Sequence, residues 1–356
     1  MATEAIALTS TADGRARPYA PSWLDRLFDW IVDLPGPTWL AYLVLTVPSA
    51  ILANAAIWLS GLRPFGEPEP VGVGWGVATI AILAASHRLK VVAASAFDAF
   101  RPALGTGVDD PDRARYDLTV MPARPILFLT VFSVVITPAY YVADPVASQV
   151  VGLTPLGLVP RLISEAATSA ILLGILYQAI RQMRIVSRLH AAADRVDPFR
   201  PAPLHAFSRL TAQAAFVLVG FNVLGMFLNP TMFETSAAVT LFAPWLLGFT
   251  IVAVAIFIIP LGGMHGRLLA EKERLEGDAE ERLKAILAEL NRDVDTRDLA
   301  RADALNKTLA SLLQQRDVLA RLPTWPWSAG TLRGFVSAIL LPLVIFLIQR
   351  VLVQFV

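Results

Sequence analysis

The chain has 356 residues, 55% of them hydrophobic and only 17% charged, whereas soluble domains carry about 25% charged residues. Its mean hydropathy is +0.57, and the apolar surplus lies in blocks between charged stretches, which excludes a soluble globular protein and reads as membrane spans. A net charge of +1 gives no pull on polyanions, so nucleic acid is excluded as a partner, and the lack of cysteine removes disulfides, thiolate metal sites and cysteine nucleophiles.

Residues 1–18 are polar and small and read as a disordered tail. Residues 19–36 hold an amphipathic helix. Ser22 and Asp25 make a capping-box pattern, and Trp23, Leu24, Leu27, Phe28 and Ile31 share one face. This helix lies flat at the inner membrane interface or packs on the protein's own cytoplasmic part, and the pattern leaves both open. The first 36 residues lack the features of a cleavable leader, so the first apolar run is expected to act as an uncleaved anchor.

Seven apolar blocks follow, at residues 38–60, 71–86, 125–142, 166–182, 212–228, 236–259 and 332–354. The second is short, and the spacing of Leu89, Val92, Ala96, Phe97 and Phe100 continues it helically to about Phe100. Alternating the sides of seven spans puts 27 of the 30 Lys and Arg on one face, with Arg63, Arg161 and Arg350 alone on the other. The positive-inside rule makes the first face cytoplasmic, so the N-terminus is inside and the C-terminus outside. Dropping the short second span would scatter the basic loops over both faces, so charge supports that span independently of hydropathy.

The expected fold is therefore all-α, a polytopic helical bundle of the cell (inner) membrane with residues 37–261 as its six-helix part. Residues 262–323 form a cytoplasmic helical hairpin, and residues 324–356 an elbow and last span. In the hairpin, Leu268, Leu275, Leu283, Ile286, Leu287 and Leu290 make one apolar stripe, and Leu299, Leu305, Leu309, Leu312, Leu319 and Leu322 a second. Asp295 or Thr296 is placed to cap the second helix. The stripes break the heptad period, which favours a hairpin over a parallel coiled coil. They must be buried against each other, other loops or another copy, and the expected partners are lipids, a second copy of the chain and a cytoplasmic protein. Trp325 and Trp327, between Pro323 and the last span, suit an interfacial anchor.

No catalytic, cofactor or metal residues are assigned, and the chain reads as non-enzymatic. The four histidines fall on the predicted cytoplasmic side; His190 and Asp194 have metal-compatible spacing, but two ligands do not make a site. The glycines of residues 72–76 read as a close-packing helix entry rather than a nucleotide loop, and Ala166, Ala170 and Gly174 as a helix-contact stripe. Polar positions within the spans are few: Asn54, Glu165, Gln178 and Asn222 are candidate substrate positions for a transporter. Ser337, Gln349 and Gln354 are candidate pore positions if the last span lines a channel.

Several strings, among them residues 100–104, 121–125, 203–211 and 260–272 with Thr324-Trp325-Pro326-Trp327, resemble those of uncharacterised multi-pass membrane proteins of bacteria and archaea, a resemblance that implies no activity. The layout is also similar to that of insect gustatory and odorant receptors, seven-span ligand-gated channels. Gln354-Phe355 matches their last helix, while Leu347-Ile348 replaces its Thr-Tyr. The resulting expectation is a channel-like or sensory membrane protein, with a small-molecule transporter or a scaffold recruiting partners through the hairpin as alternatives.

Overall fold

The computed structural model of the chain describes residues 17–143, 150–193, 197–199, 203, 205–228, 236–296, 301–327, 330–340, 344 and 348, with the backbone alone over 236–246. In chain order the helices are α1 (Trp23–Asp33), α2 (Thr38–Leu59), α3 (Pro70–Leu104), α4 (Pro111–Thr119), α5 (Ala123–Ala143), α6 (Pro155–Ala192), α7 (Ala206–Leu228), α8 (Ser236–Asp295), α9 (Ala302–Ala320) and α10 (Gly330–Leu340). Several start where a polar cap precedes a proline that needs no N–H bond: Glu69 before Pro70, Asp110 before Pro111 and Thr154 before Pro155.

Six helices are long and apolar enough to cross a membrane, namely α2, α3, α5, α6, α7 and α8 from Leu247 onward. The chain is thus a helical membrane bundle. Of the predicted last span, α10 is described only over Gly330–Leu340, and most of the remainder lies outside the described residues. Leu43, Val44 and Val47 of α2, and Phe128, Val131 and Val135 of α5, are exposed together with Ile251 and Ile259 of α8. Such broad apolar surfaces are what lipid covers in a spanning bundle.

α3 and α6 form the middle of the bundle. α2 packs on both of them, α5 on α6, and α7 and α8 on each other and on the central pair. Glycine permits the closest approach of α2 and α3, since a Cβ on Gly76 would lie 2.4 Å from the Ala50 Cα. The Ser49 hydroxyl donates to the Gly76 carbonyl at that crossing. The second span, the shortest apolar block of the sequence, is the start of the 35-residue α3.

α1 packs on the protein. Leu24, Phe28 and Ile31 are buried, Leu24 reaches to Gly174 of α6, and the Trp23 indole donates to Thr130 of α5. The helix is a wedge at one end of the bundle, in contact with α2 and α5.

The hairpin differs from its sequence reading at both ends. Its first arm is no separate helix, because α8 runs 60 residues without interruption from the membrane through Pro260 and Gly262 to Asp295. Thr296 does not cap the second helix; its hydroxyl bonds back to the Arg292 carbonyl and ends the first. α9 begins at Ala302, and Arg301 clamps the tip through Glu289 and Asp293. Leu268, Ala279, Leu305 and Leu319 are buried along the hairpin, with Leu309 and Leu312 half-buried on the facing stripe. Leu299 lies outside the described residues.

Gly76→Ala should cost about 1–3 kcal/mol of stability, because its methyl group meets backbone atoms that cannot yield. Gly220→Ala, where no atom lies within 4 Å of the added carbon, should be neutral. Thermal melts of the two purified variants check the contrast.

Candidate functional site

Polar side chains along one face of α3 meet one face of α6 and form a seam through the bundle. On α3 the face carries Gly72, Thr79, Ser86 and Lys90, whose spacings of seven, seven and four keep them on one side of the helix. From Gly72 to Lys90 is a rise of about 27 Å at 1.5 Å per residue, close to the thickness of a hydrocarbon core.

At its first end the seam opens into a cavity of about 300 Å³ among α2, α3 and α6, lined by Ala53, Ile57, Leu62, Glu69, Leu153 and Arg161 with neighbouring small residues. Buried Asn54 builds this end: its amide donates to the Ala50 carbonyl at 2.9 Å, and its Oδ1 accepts the Glu69 backbone N–H at 2.7 Å. The Glu69 carboxylate in turn accepts the Gly72 N–H and caps α3. Arg161 is ion-paired to Glu165 one turn along α6. Of the positions expected from sequence, Asn54 and Glu165 therefore flank one cavity, Asn54 by orienting Glu69 and Glu165 by holding Arg161.

Further along, Thr79 and Thr168 share a hydrogen bond of 2.7 Å, and the Ser86 hydroxyl donates to Gln178 Oε1 at 3.1 Å. Gln178 is buried, and its Nε2 has no hydrogen-bond partner among the described residues. Asn222 is elsewhere; it is buried on α7, a helix that meets α3 at Gly74, off the seam face. Ser337 is exposed on α10, whose Phe335 stacks on Phe257 of α8 at 3.9 Å, while Gln349 and Gln354 lie outside the described residues.

The other end of the seam is shut by α1. Lys90, 4% exposed, lies 3.2 Å from Asp25 and 3.1 Å from Asp29, and Asp25 is 1% exposed. Asp25 Oδ2 also accepts from the Ser22 hydroxyl and the Met121 backbone N–H. His87, one turn before Lys90, stacks on Phe28 of α1 with ring centroids 5.0 Å apart, and its Nδ1 pairs with the Tyr42 hydroxyl of α2 at 2.8 Å. A charge buried this deeply persists only with partners in place.

The chain before α1 is tied down beside this lock. Ser22 N–H donates to Met121 O, Ala123 N–H to Ala20 O, and Arg181 of α6 bonds Asp117, the Val120 carbonyl and the Tyr19 hydroxyl. Burial pushes the Tyr19 phenol above its ordinary pKa, so it stays a neutral donor to the Val120 carbonyl. The sequence marks Asp25 as a capping-box residue and gives no sign of its pairing with Lys90.

α6 is linked to the hairpin arm. Arg267 of α8 donates to the Ala191 and Ala193 carbonyls at the α6 C-terminus, and His190 Nδ1 contacts the Pro260 carbonyl at 2.8 Å. At the elbow Lys272 caps the end of α9 through the Ala320 carbonyl, and His265 pairs with the Thr324 carbonyl. Trp325 and Trp327 lie in a run of rings, His265–Trp325–Trp327–Phe257–Phe335, with neighbouring centroids 3.8, 4.2, 5.4 and 3.9 Å apart.

No family model, curated protein or solved structure matches this chain.

Breaking a buried ion pair by removing one partner costs about 3–5 kcal/mol. Asp25→Ala should fall at the lower end of that range because Asp29 remains beside Lys90. The double variant with Lys90→Met should recover most of the loss. Chemical denaturation of the two variants in detergent measures both.

Proposed function

We propose that this chain is a transporter-like plasma-membrane protein of seven spans, N-terminus inside and C-terminus outside, which takes a small polar solute into the Glu69–Arg161 cavity from the outer side. The observation that carries the reading is the arrangement along the α3–α6 seam. A cavity lies at one end, paired hydroxyls and an amide follow, and a charge-locked wedge closes the other end. Arg63 and Arg161, two of the three basic residues assigned to the outside, stand at the cavity end, while the basic-rich loops gather at the wedge end. Gln178, with its unmatched amide on the seam, is the position a passing solute would meet next. Passage requires the Thr79–Thr168 and Ser86–Gln178 contacts to part and α1 to withdraw. No bond is made or broken in this scheme, so the protein acts without enzymatic chemistry.

A sensory reading stands second, favoured by the path from α6 to the hairpin. Arg267 grips the end of α6, and the helix that carries it is the hairpin arm itself. A solute that shifts α6 would thereby move a surface facing the cytoplasm. The channel reading, with Ser337, Gln349 and Gln354 lining a pore, draws no support from the described part of α10.

Two measurements bear on this. A reporter active only outside the cytoplasm, fused after Val356, should be active; activity of a cytosolic reporter there would overturn the seven-span topology. Proteoliposomes should take up at least one of labelled butylamine, 4-aminobutyrate and butyrate faster than protein-free vesicles, and Gln178→Leu should slow that uptake severalfold. Equal rates with and without protein for all three would remove the transport reading and leave the sensory one.

A further inference from the structure

We propose that the cavity is a site for a small organic cation, an alkylamine with a short apolar body, whose ammonium group is received by the Glu69 carboxylate. The proposal rests on reading the cavity as a solute site, and it names the chemical class of that solute.

The charges at this end of the bundle decide the sign. Arg161, on the cavity wall, already has Glu165 as its ion-pair partner one turn away on α6. Arg63, on the loop between α2 and α3, is paired to Glu67 at 3.1 Å. Glu69 is the remaining carboxylate of the cavity wall, and among the described residues no lysine or arginine forms an ion pair with it. It is held in place rather than neutralised. Its backbone N–H is bonded by Asn54, and its carboxylate accepts only a backbone N–H, that of Gly72. A half-buried carboxylate with unused acceptor capacity beside an apolar surface attracts a positive group.

The rest of the wall fixes the ligand's other properties. Ala53, Ile57, Leu62 and Leu153 offer no hydrogen-bonding side chains, so the body of the ligand is apolar. About 300 Å³ is at the lower bound for small-molecule pockets, which restricts that body to a few carbons. An anionic ligand would place its charge beside Glu69 and would have to share Arg161 with Glu165.

Isothermal titration of the purified full chain in nanodiscs of uncharged lipid, with butylamine hydrochloride and with sodium butyrate, tests this. Butylamine should bind and butyrate should not. Glu69→Gln keeps an oxygen to accept the Gly72 N–H, so its thermal midpoint should match the parent while its affinity for butylamine falls at least tenfold. Ile57→Trp fills the cavity without changing its charge and should abolish binding as well, so loss in that variant carries the case should Glu69→Gln prove unstable. Butyrate binding as tightly as butylamine, no butylamine binding to the parent, or full butylamine affinity in Ile57→Trp would overturn the proposal. Butylamine binding without uptake of any of the three solutes into proteoliposomes would uphold this site and sink the transport reading, so the two fail separately.

Discussion

Inside a bilayer a polar group has only the protein to bond to, and that constraint organises the whole structure. Backbone groups are satisfied by long helices, and at two helix ends by arginine and lysine side chains. Arg267 serves the last carbonyls of α6, and Lys272 those of α9. Many hydroxyls of the spans turn back to their own helix, as Thr46 does to Tyr42 and Thr137 to Ser133. Those that do not turn back entirely, Thr79 and Ser86 among them, are the ones that join α3 to α6. Polar contacts between membrane helices are worth about 1 kcal/mol each, so a seam built of a few is strong enough to hold and weak enough to open.

The two ends of that seam differ in kind. One is a cavity in which the Glu69 carboxylate accepts a backbone N–H and forms no ion pair among the described residues. The other is a dense lock built on ion pairs: Lys90 with Asp25 and Asp29, Arg181 with Asp117. Desolvating a charge is expensive, so partners that are buried together tend to stay together. The asymmetry therefore gives the bundle an open end and a closed end. α1 is held by the closed end and is itself amphipathic, which allows it to leave the bundle for the interface without exposing its apolar face to water.

The coupling outward from the seam is covalent as well as non-covalent. α8 carries the clamp on α6, the Phe257 ring that seats Trp327 and Phe335, and the first arm of the hairpin. The stacked rings of the elbow pack Trp325, Trp327 and, on α10, Phe335 against the same helix.

Composition and periodicity were sufficient for the helical membrane class, for the short second span, for the amphipathic face of α1 and for the stripes of the hairpin. Each depends on local order along one helix, and local order is what a sequence displays. Asn54 and Glu165 were legible as polar residues in apolar runs, but their joint placement beside one cavity was not, since it requires α2 and α6 to meet. Glu69 was invisible as a site because it sits in a proline-rich loop where carboxylates are ordinary. The Lys90–Asp25 pair was not legible, because pairing across 65 residues of chain leaves no periodic trace. The continuity of α8 was missed because Pro260 and two nearby glycines are breakers in water, whereas neighbouring helices in a membrane supply what the proline removes. What the chain alone determined is thus the set of helices and the face each must bury; which faces meet, and hence where a buried charge finds its partner, was decided by packing.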